Sequence, residues 1–171
     1  MTRAINLNTV GFALIAALSL PISWAQTAPV SDMLPGMNEA PIHDAARMGT
    51  RQEVERLLKA SAQNRDVRTP LGASPLHYAA MNGDSGPLKA LLATGANPNA
   101  RDTDGRTPLH MAAFSTRKDN AMLLLQAGAD PMLKTNDGRD VLSMARKVRA
   151  DEIAGEISLW ILKGCKPGKS C

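Results

Sequence analysis

The residues of this chain whose types could do chemistry are three histidines, two cysteines, and arginines and lysines at regular intervals. His43, His77 and His110 could each serve as a general base or hold a metal ion. They are separated by 34 and 33 residues, so each falls in its own structural unit. Stacked helical units lie about 10 Å apart, whereas a metal ion holds its ligands at ~2 Å, so the three cannot share one ion. No Ser, His and acid arrangement, paired-carboxylate motif or glycine-rich nucleotide loop fits the spacing. No catalytic residue, metal site or cofactor is therefore assigned.

Two further motifs are weaker than they look. Gly164-Cys165-Lys166-Pro167-Gly168-Lys169-Ser170 has three residues between its glycines where a phosphate-binding loop needs four. No helix N-terminus follows it to hold the phosphates. Cys165 and Cys171 are the only cysteines. With no Cys-x-x-Cys and no adjacent histidine, a structural disulfide is preferred over a redox pair or half a metal site. Closing so short a loop is worth about 2 kcal/mol. The nine methionines are scattered, without the pairing that soft-metal sites use. Met111, Met122 and Met144 sit at positions expected to fill the core.

The basic residues follow a register. Arg68, Arg101 and Lys134 are spaced by 33 and 33, and Arg106 and Arg139 by 33 again. They are expected to form a ladder along one edge. The competing expectation is an ordinary solvated edge, because Asp104 and Asp137 repeat at the same interval and could neutralise these cations locally.

The elements that position these residues come from an internal repeat. Pro75-Leu76-His77-Tyr78-Ala79-Ala80 returns 33 residues later as Pro108-Leu109-His110-Met111-Ala112-Ala113. A weaker copy, Pro41-Ile42-His43-Asp44-Ala45-Ala46, precedes them, and a degenerate one, Val141-Leu142-Ser143-Met144-Ala145, follows. The pairs Leu57-Leu58, Leu91-Leu92 and Leu124-Leu125 each begin 14 residues after their histidine. A fixed period of this length predicts an all-α solenoid whose units bury their apolar faces only against neighbours. Each unit reads as two short antiparallel helices and a loop. Thr107 can cap a helix beginning at Pro108 and running to about Ser115, with a second helix over Lys118 to Gln126. The small pairs Ala45-Ala46, Ala79-Ala80 and Ala112-Ala113 allow close helix approach while the leucine pairs fill the layer between. A last helix from near Asp151 puts Ile153, Ile157, Trp160 and Ile161 on one face, as a terminal cap with a wet side.

Gly105-Arg106-Thr107-Pro108-Leu109-His110-Met111-Ala112-Ala113, followed by Leu123-Leu124-Leu125-Gln126-Ala127-Gly128-Ala129-Asp130, resembles one ankyrin repeat. Gly72 to His77 with Leu91 to Asn97 resembles a second. The resemblance covers roughly 39–163, as about four stacked repeats with short β-turn tips: 39–71, 72–104, 105–137 and 138–163. It departs from the pattern by one extra residue between Leu58 and Gly72, and by a fourth copy without the Thr-Pro-Leu-His tetrapeptide. The resemblance implies that the histidines bond backbone and fix turns. It also implies that Arg68, Arg101, Arg106, Lys134 and Arg139 lie at turn tips and the concave side, where partners dock. Arg47, Met81, Asn82, Phe114, Ser115 and Lys147 match the inner-helix positions beside them.

Arg3, the 11-residue apolar run from Val10 to Leu20, Pro21 and Ser23-Trp24-Ala25 together form a signal-peptide pattern, with cleavage expected between Ala25 and Gln26. The run is too short for a spanning helix, which needs about 20 residues. Residues 26–38 read as a flexible leader, in which Met33, Leu34 and Met37 could cap the first repeat, and 164–171 as a Cys-containing tail. Without residues 1–25, Lys and Arg number 19 against 16 Asp and Glu, a mild excess. With aromatics at 3%, nucleic-acid binding is not expected, nor a membrane after cleavage. The expected function is a monomeric, non-catalytic periplasmic module that binds a protein, one with an acidic surface if the ladder is used. The exported bacterial ankyrin proteins that it resembles imply an accessory role for a periplasmic enzyme in oxidative-stress defence. The alternative is an immunity protein that blocks a periplasmic effector.

Overall fold

A computed structural model describes residues 39–165. The signal-peptide and leader segments, Cys171 and most of the phosphate-loop-like motif lie outside the described residues. Among the described residues there are eight α-helices and no strand. They are α1 (Pro41–Met48), α2 (Arg51–Ala60), α3 (Pro75–Met81), α4 (Gly86–Ala93), α5 (Pro108–Phe114), α6 (Lys118–Gln126), α7 (Val141–Lys147) and α8 (Asp151–Leu162). The first helices of the pairs form one layer, with α1 on α3, α3 on α5 and α5 on α7. The second helices form the other, with α2 on α4 and α6 on α8. At 7 to 12 residues these helices are too short to persist alone in water, so the stack supplies their stability.

Local sequence sets where each helix begins. Pro41, Pro75 and Pro108 occupy first-turn positions where a missing N–H costs nothing. In the fourth pair Asp140 caps instead, accepting from the Ser143 N–H at 2.8 Å. Helix α5 ends at Phe114, one residue earlier than its apolar pattern suggests, and Ser115 caps it. The extra residue of the first repeat is absorbed in a short 3-10 turn, Ala62–Arg65, whose Arg65 reaches the Thr94 carbonyl of the next repeat at 2.6 Å.

Ala46, Ala79, Ala80, Ala112, Ala113 and Ala145 are sealed between the first-layer helices. The leucine pairs are less uniform. Leu124 and Leu125 are both fully buried, but only Leu58 of the first pair and Leu91 of the second are buried, with Leu57 and Leu92 half-buried against the core. Helix α8 buries Ile153, Ala154, Ile157 and Trp160, while Lys118 ties it to the third repeat through Glu152 at 2.7 Å and Glu156 at 3.2 Å.

The turn tips are laced together as well. The Thr103 N–H donates to the Leu71 carbonyl at 3.0 Å and the Asn136 N–H to the Asp104 carbonyl at 2.9 Å. Gly105 sits between them at φ +75°, where a Cβ would lie 2.9 Å from the Asn136 nitrogen. Both the dihedral and the space therefore demand glycine.

Two surface positions run against local preference. Thr116 and Arg149, 33 residues apart in the helix-to-helix turns, adopt φ +56°, a left-handed conformation costing side-chain-bearing residues about 1–2 kcal/mol. Gly155 is the reverse case, a glycine inside α8 with nothing within 4 Å of its would-be Cβ. Arg149→Gly and Gly155→Ala should therefore each stabilise the protein, by about 1 kcal/mol or a few degrees in melting temperature. Thermal unfolding of the two variants checks this; a lower melting point for either would contradict the local reading of that site.

Candidate functional site

The histidines join one repeat to the next. His77 Nε2 lies 3.1 Å from the Arg106 carbonyl and His110 Nε2 lies 3.3 Å from that of Arg139. On the other ring edge, Nδ1 accepts the backbone N–H of Ser74 at 3.1 Å and of Thr107 at 3.2 Å. This pattern fixes the neutral tautomer with its proton on Nε2. His43 follows suit towards Val67 at 3.2 Å, but Ala40 stands where the others have Ser or Thr, and its Nδ1 has no hydrogen-bond partner among the described residues. No group of three His, Cys, Asp or Glu side chains converges as a metal site among the described residues.

Several sequence-predicted contact residues have intramolecular work. Arg47 pairs with Glu39 and with Asp44 at 3.1 Å, and lies 4.8 Å over the Tyr78 ring. Glu39 also accepts from the Tyr78 hydroxyl at 2.6 Å. Burial first, and the Glu39 carboxylate second, push that phenol up to about 12. Asn82 donates to the Ala46 and Gly49 carbonyls, and the Met81 carbonyl receives Arg117 Nε at 3.1 Å. Arg68 is exposed at a tip and also spans two repeats, donating to the carbonyls of Gly72 at 2.7 Å and Arg101 at 3.2 Å, so its reversal would disturb the stack as well as the surface. Arg101 reaches Asn136 Oδ1 at 3.4 Å, and Lys134 is exposed on the same tip edge. The local neutralisation foreseen for the ladder occurs at its second pair: Arg106 pairs with Asp104 at 3.1 Å and Arg139 with Asp137 at 2.8 Å.

The third and fourth repeats bring four of the predicted residues together. Arg106, Phe114, Arg139 and Lys147 line a recess of about 120 Å³ with His110, Met111 and Met144. A second recess of about 220 Å³ shares Arg106, Arg139 and Met144 and adds Asp104, Asn136 and Asp137. Phe114 is 52% exposed at the rim of the smaller recess. Ser115 is half-buried at the end of the same helix. Met111 packs against the core and Met144 is buried, and both also line the groove, a role that 33-residue spacing does not separate from packing.

The ankyrin-repeat family model matches residues 35–135, in three copies. The chain belongs to the ankyrin-repeat family. No curated protein matches it. The family match ends before α7, so the fourth wall of this ankyrin groove, carrying Arg139, Met144 and Lys147, comes from a helix pair beyond the matched repeats. Ankyrin repeats as a class mediate protein–protein interaction. Exposed arginines beside a shallow apolar recess are suited to that work, since arginine and aromatic residues anchor interfaces.

The ankyrin stack also has a built-in acid sensitivity. Burial, the dominant influence, lowers the pKa of all three histidines below the usual 6.5, outweighing the carbonyls that favour the charged form. A base with a depressed folded-state pKa takes up its proton first in the unfolded chain. Stability is therefore full above the unfolded histidine value and falls as pH drops below it, with Asp137 and Asp140, both held low by hydrogen bonds, titrating only in stronger acid. Melting temperature should fall between pH 7 and pH 5, and less steeply in His77→Gln, which loses one titrating group. A flat profile in the parent protein would refute this.

Proposed function

We propose that the protein is an exported, monomeric, non-catalytic docking module that binds a periplasmic protein through the groove of its third and fourth repeats. The observation that carries this reading is the groove itself. Arg106, Phe114, Arg139 and Lys147 converge around an open recess on a scaffold whose repeats are held in register by buried histidines. Side chains mounted on fixed elements lose little conformational freedom on binding, which favours recognition. Arg101 and Lys134 extend the positive edge, which suits a partner with an acidic surface and speeds encounter at low salt. An accessory role beside a periplasmic stress-defence enzyme is the specific form we favour.

Export rests on the pattern at Arg3, Val10 to Leu20 and Ser23-Trp24-Ala25. It fits a disulfide between Cys165 and Cys171, which we also propose. Cys165 leans on the core at the end of α8, its N–H donating to the Trp160 carbonyl at 3.2 Å. Protein from a periplasmic extract should begin at Gln26 and show no free thiol when denatured without reductant, whereas Cys165→Ser should expose one. Recovery of chains starting at Met1, or of two titratable thiols, would count against export.

For the docking role, a photo-crosslinker placed at Phe114 or Ser115 in living cells should trap one defined protein. The same crosslinker at exposed Lys89 of α4 should not. The trapped protein's activity is then measured with and without the module. Preservation or enhancement supports the accessory role, inhibition converts the reading to an immunity protein, and absence of any groove-specific crosslink removes the docking proposal.

A further inference from the structure

The geometry points to the chemistry of the bound segment: we infer that the groove takes a short, extended acidic stretch of a partner protein carrying one large apolar side chain between carboxylates. This inference rests on the docking role proposed above. Its basis is the way two recesses of opposite character share three walls. The smaller one, about 120 Å³, offers Met111, Phe114 and Met144 as an apolar surface, with Lys147 at its far side. Apolar cavities of about 150 Å³ accommodate a benzene-sized group, so this smaller, open recess seats no more than one large apolar side chain. The neighbouring recess, about 220 Å³, is polar and presents Arg106, Arg139 and Asn136.

Each arginine uses part of its guanidinium on its own turn, Arg106 through Nη2 to Asp104 and Arg139 through Nη1 to Asp137. A guanidinium carries five donors, so both retain donors for a further carboxylate while their orientation is already fixed. Cations thus bracket the apolar recess, two arginines on the tip side and Lys147 on the helix side. An apolar residue seated on Met144 would place flanking carboxylates at those cations.

The two recesses are open and adjoin across two repeats, a shape that suits an extended segment.

The mature protein can be titrated with three fluorescein-labelled peptides, followed by anisotropy: Asp-Glu-Phe-Asp-Glu, Asp-Glu-Ala-Asp-Glu and Lys-Lys-Phe-Lys-Lys. The first should bind about tenfold or more tighter than either of the others, and more weakly as salt is raised. Arg106→Gln with Arg139→Gln should weaken the first peptide about tenfold, while Phe114→Ser should bring it towards the alanine peptide. Lys89→Glu, on the exposed side of α4, should change nothing. Melting curves matching the parent keep a folding defect from being mistaken for lost binding. Equal binding of the three peptides, or indifference to the groove substitutions, overturns the inference. If the peptides fail while the Phe114 crosslink to a partner persists, the docking role stands and only this segment chemistry falls; if both fail, both fall.

Discussion

Each repeat of this protein is too small to fold alone, so everything depends on how one repeat grips the next. Helices of seven to twelve residues gain too little from their own hydrogen bonds to offset the ordering of the chain. The grip is a buried imidazole. His77 and His110 each accept a backbone N–H from their own helix start at Nδ1 and donate a hydrogen bond from Nε2–H to a carbonyl of the next repeat. One side chain thereby satisfies two backbone groups that burial would otherwise leave unpaired, and leaving either bare costs about 1–3 kcal/mol. The same bonds position Arg106 and Arg139, whose carbonyls are the ones received. The groove is thus fixed by the contacts that hold the stack.

The fourth unit shows what happens where that chain of contacts ends. Ser143 stands in the histidine register but is exposed, and Asp140 caps the helix in place of Ser or Thr. Helix α8, the longest of the eight described, closes the stack by burying Trp160 and Ile157 and by meeting Lys118 through two carboxylates. This unit nevertheless keeps Arg139 and Met144 at the spacing of Arg106 and Met111, and supplies half of the groove.

The electrostatics divide the basic residues into two groups. Arg106 and Arg139 are held by carboxylates of their own turns, whereas Arg68 and Arg101 spend donors on carbonyl and amide oxygens of neighbouring repeats. Exposed ion pairs add little to stability, but they do orient a guanidinium. Arg68, by contrast, acts in the stack. The first repeat diverts its cation inward too, with Arg47 locked by Glu39 beneath Tyr78. What remains available for recognition is concentrated at the third and fourth repeats.

The solenoid, its period and its layer of small residues are legible in the amino-acid order alone. Those features are local or repeat at fixed intervals, and Pro75, Ala79, Ala80 and their counterparts announce them directly. The amino-acid order also located most of the groove, because Arg106, Phe114, Arg139 and Lys147 occupy repeat positions that must share one face. Packing settles which of the equivalent side chains are engaged within the stack and which stand open. Arg47 and Phe114 look alike in register, yet one is clamped by a carboxylate from outside its helix and the other stands open. Met111 and Met144 look like filler and serve also as the floor. Periodicity fixes where a side chain starts, but its partners come from the adjoining repeat, and distances across that junction are set only when the stack is packed.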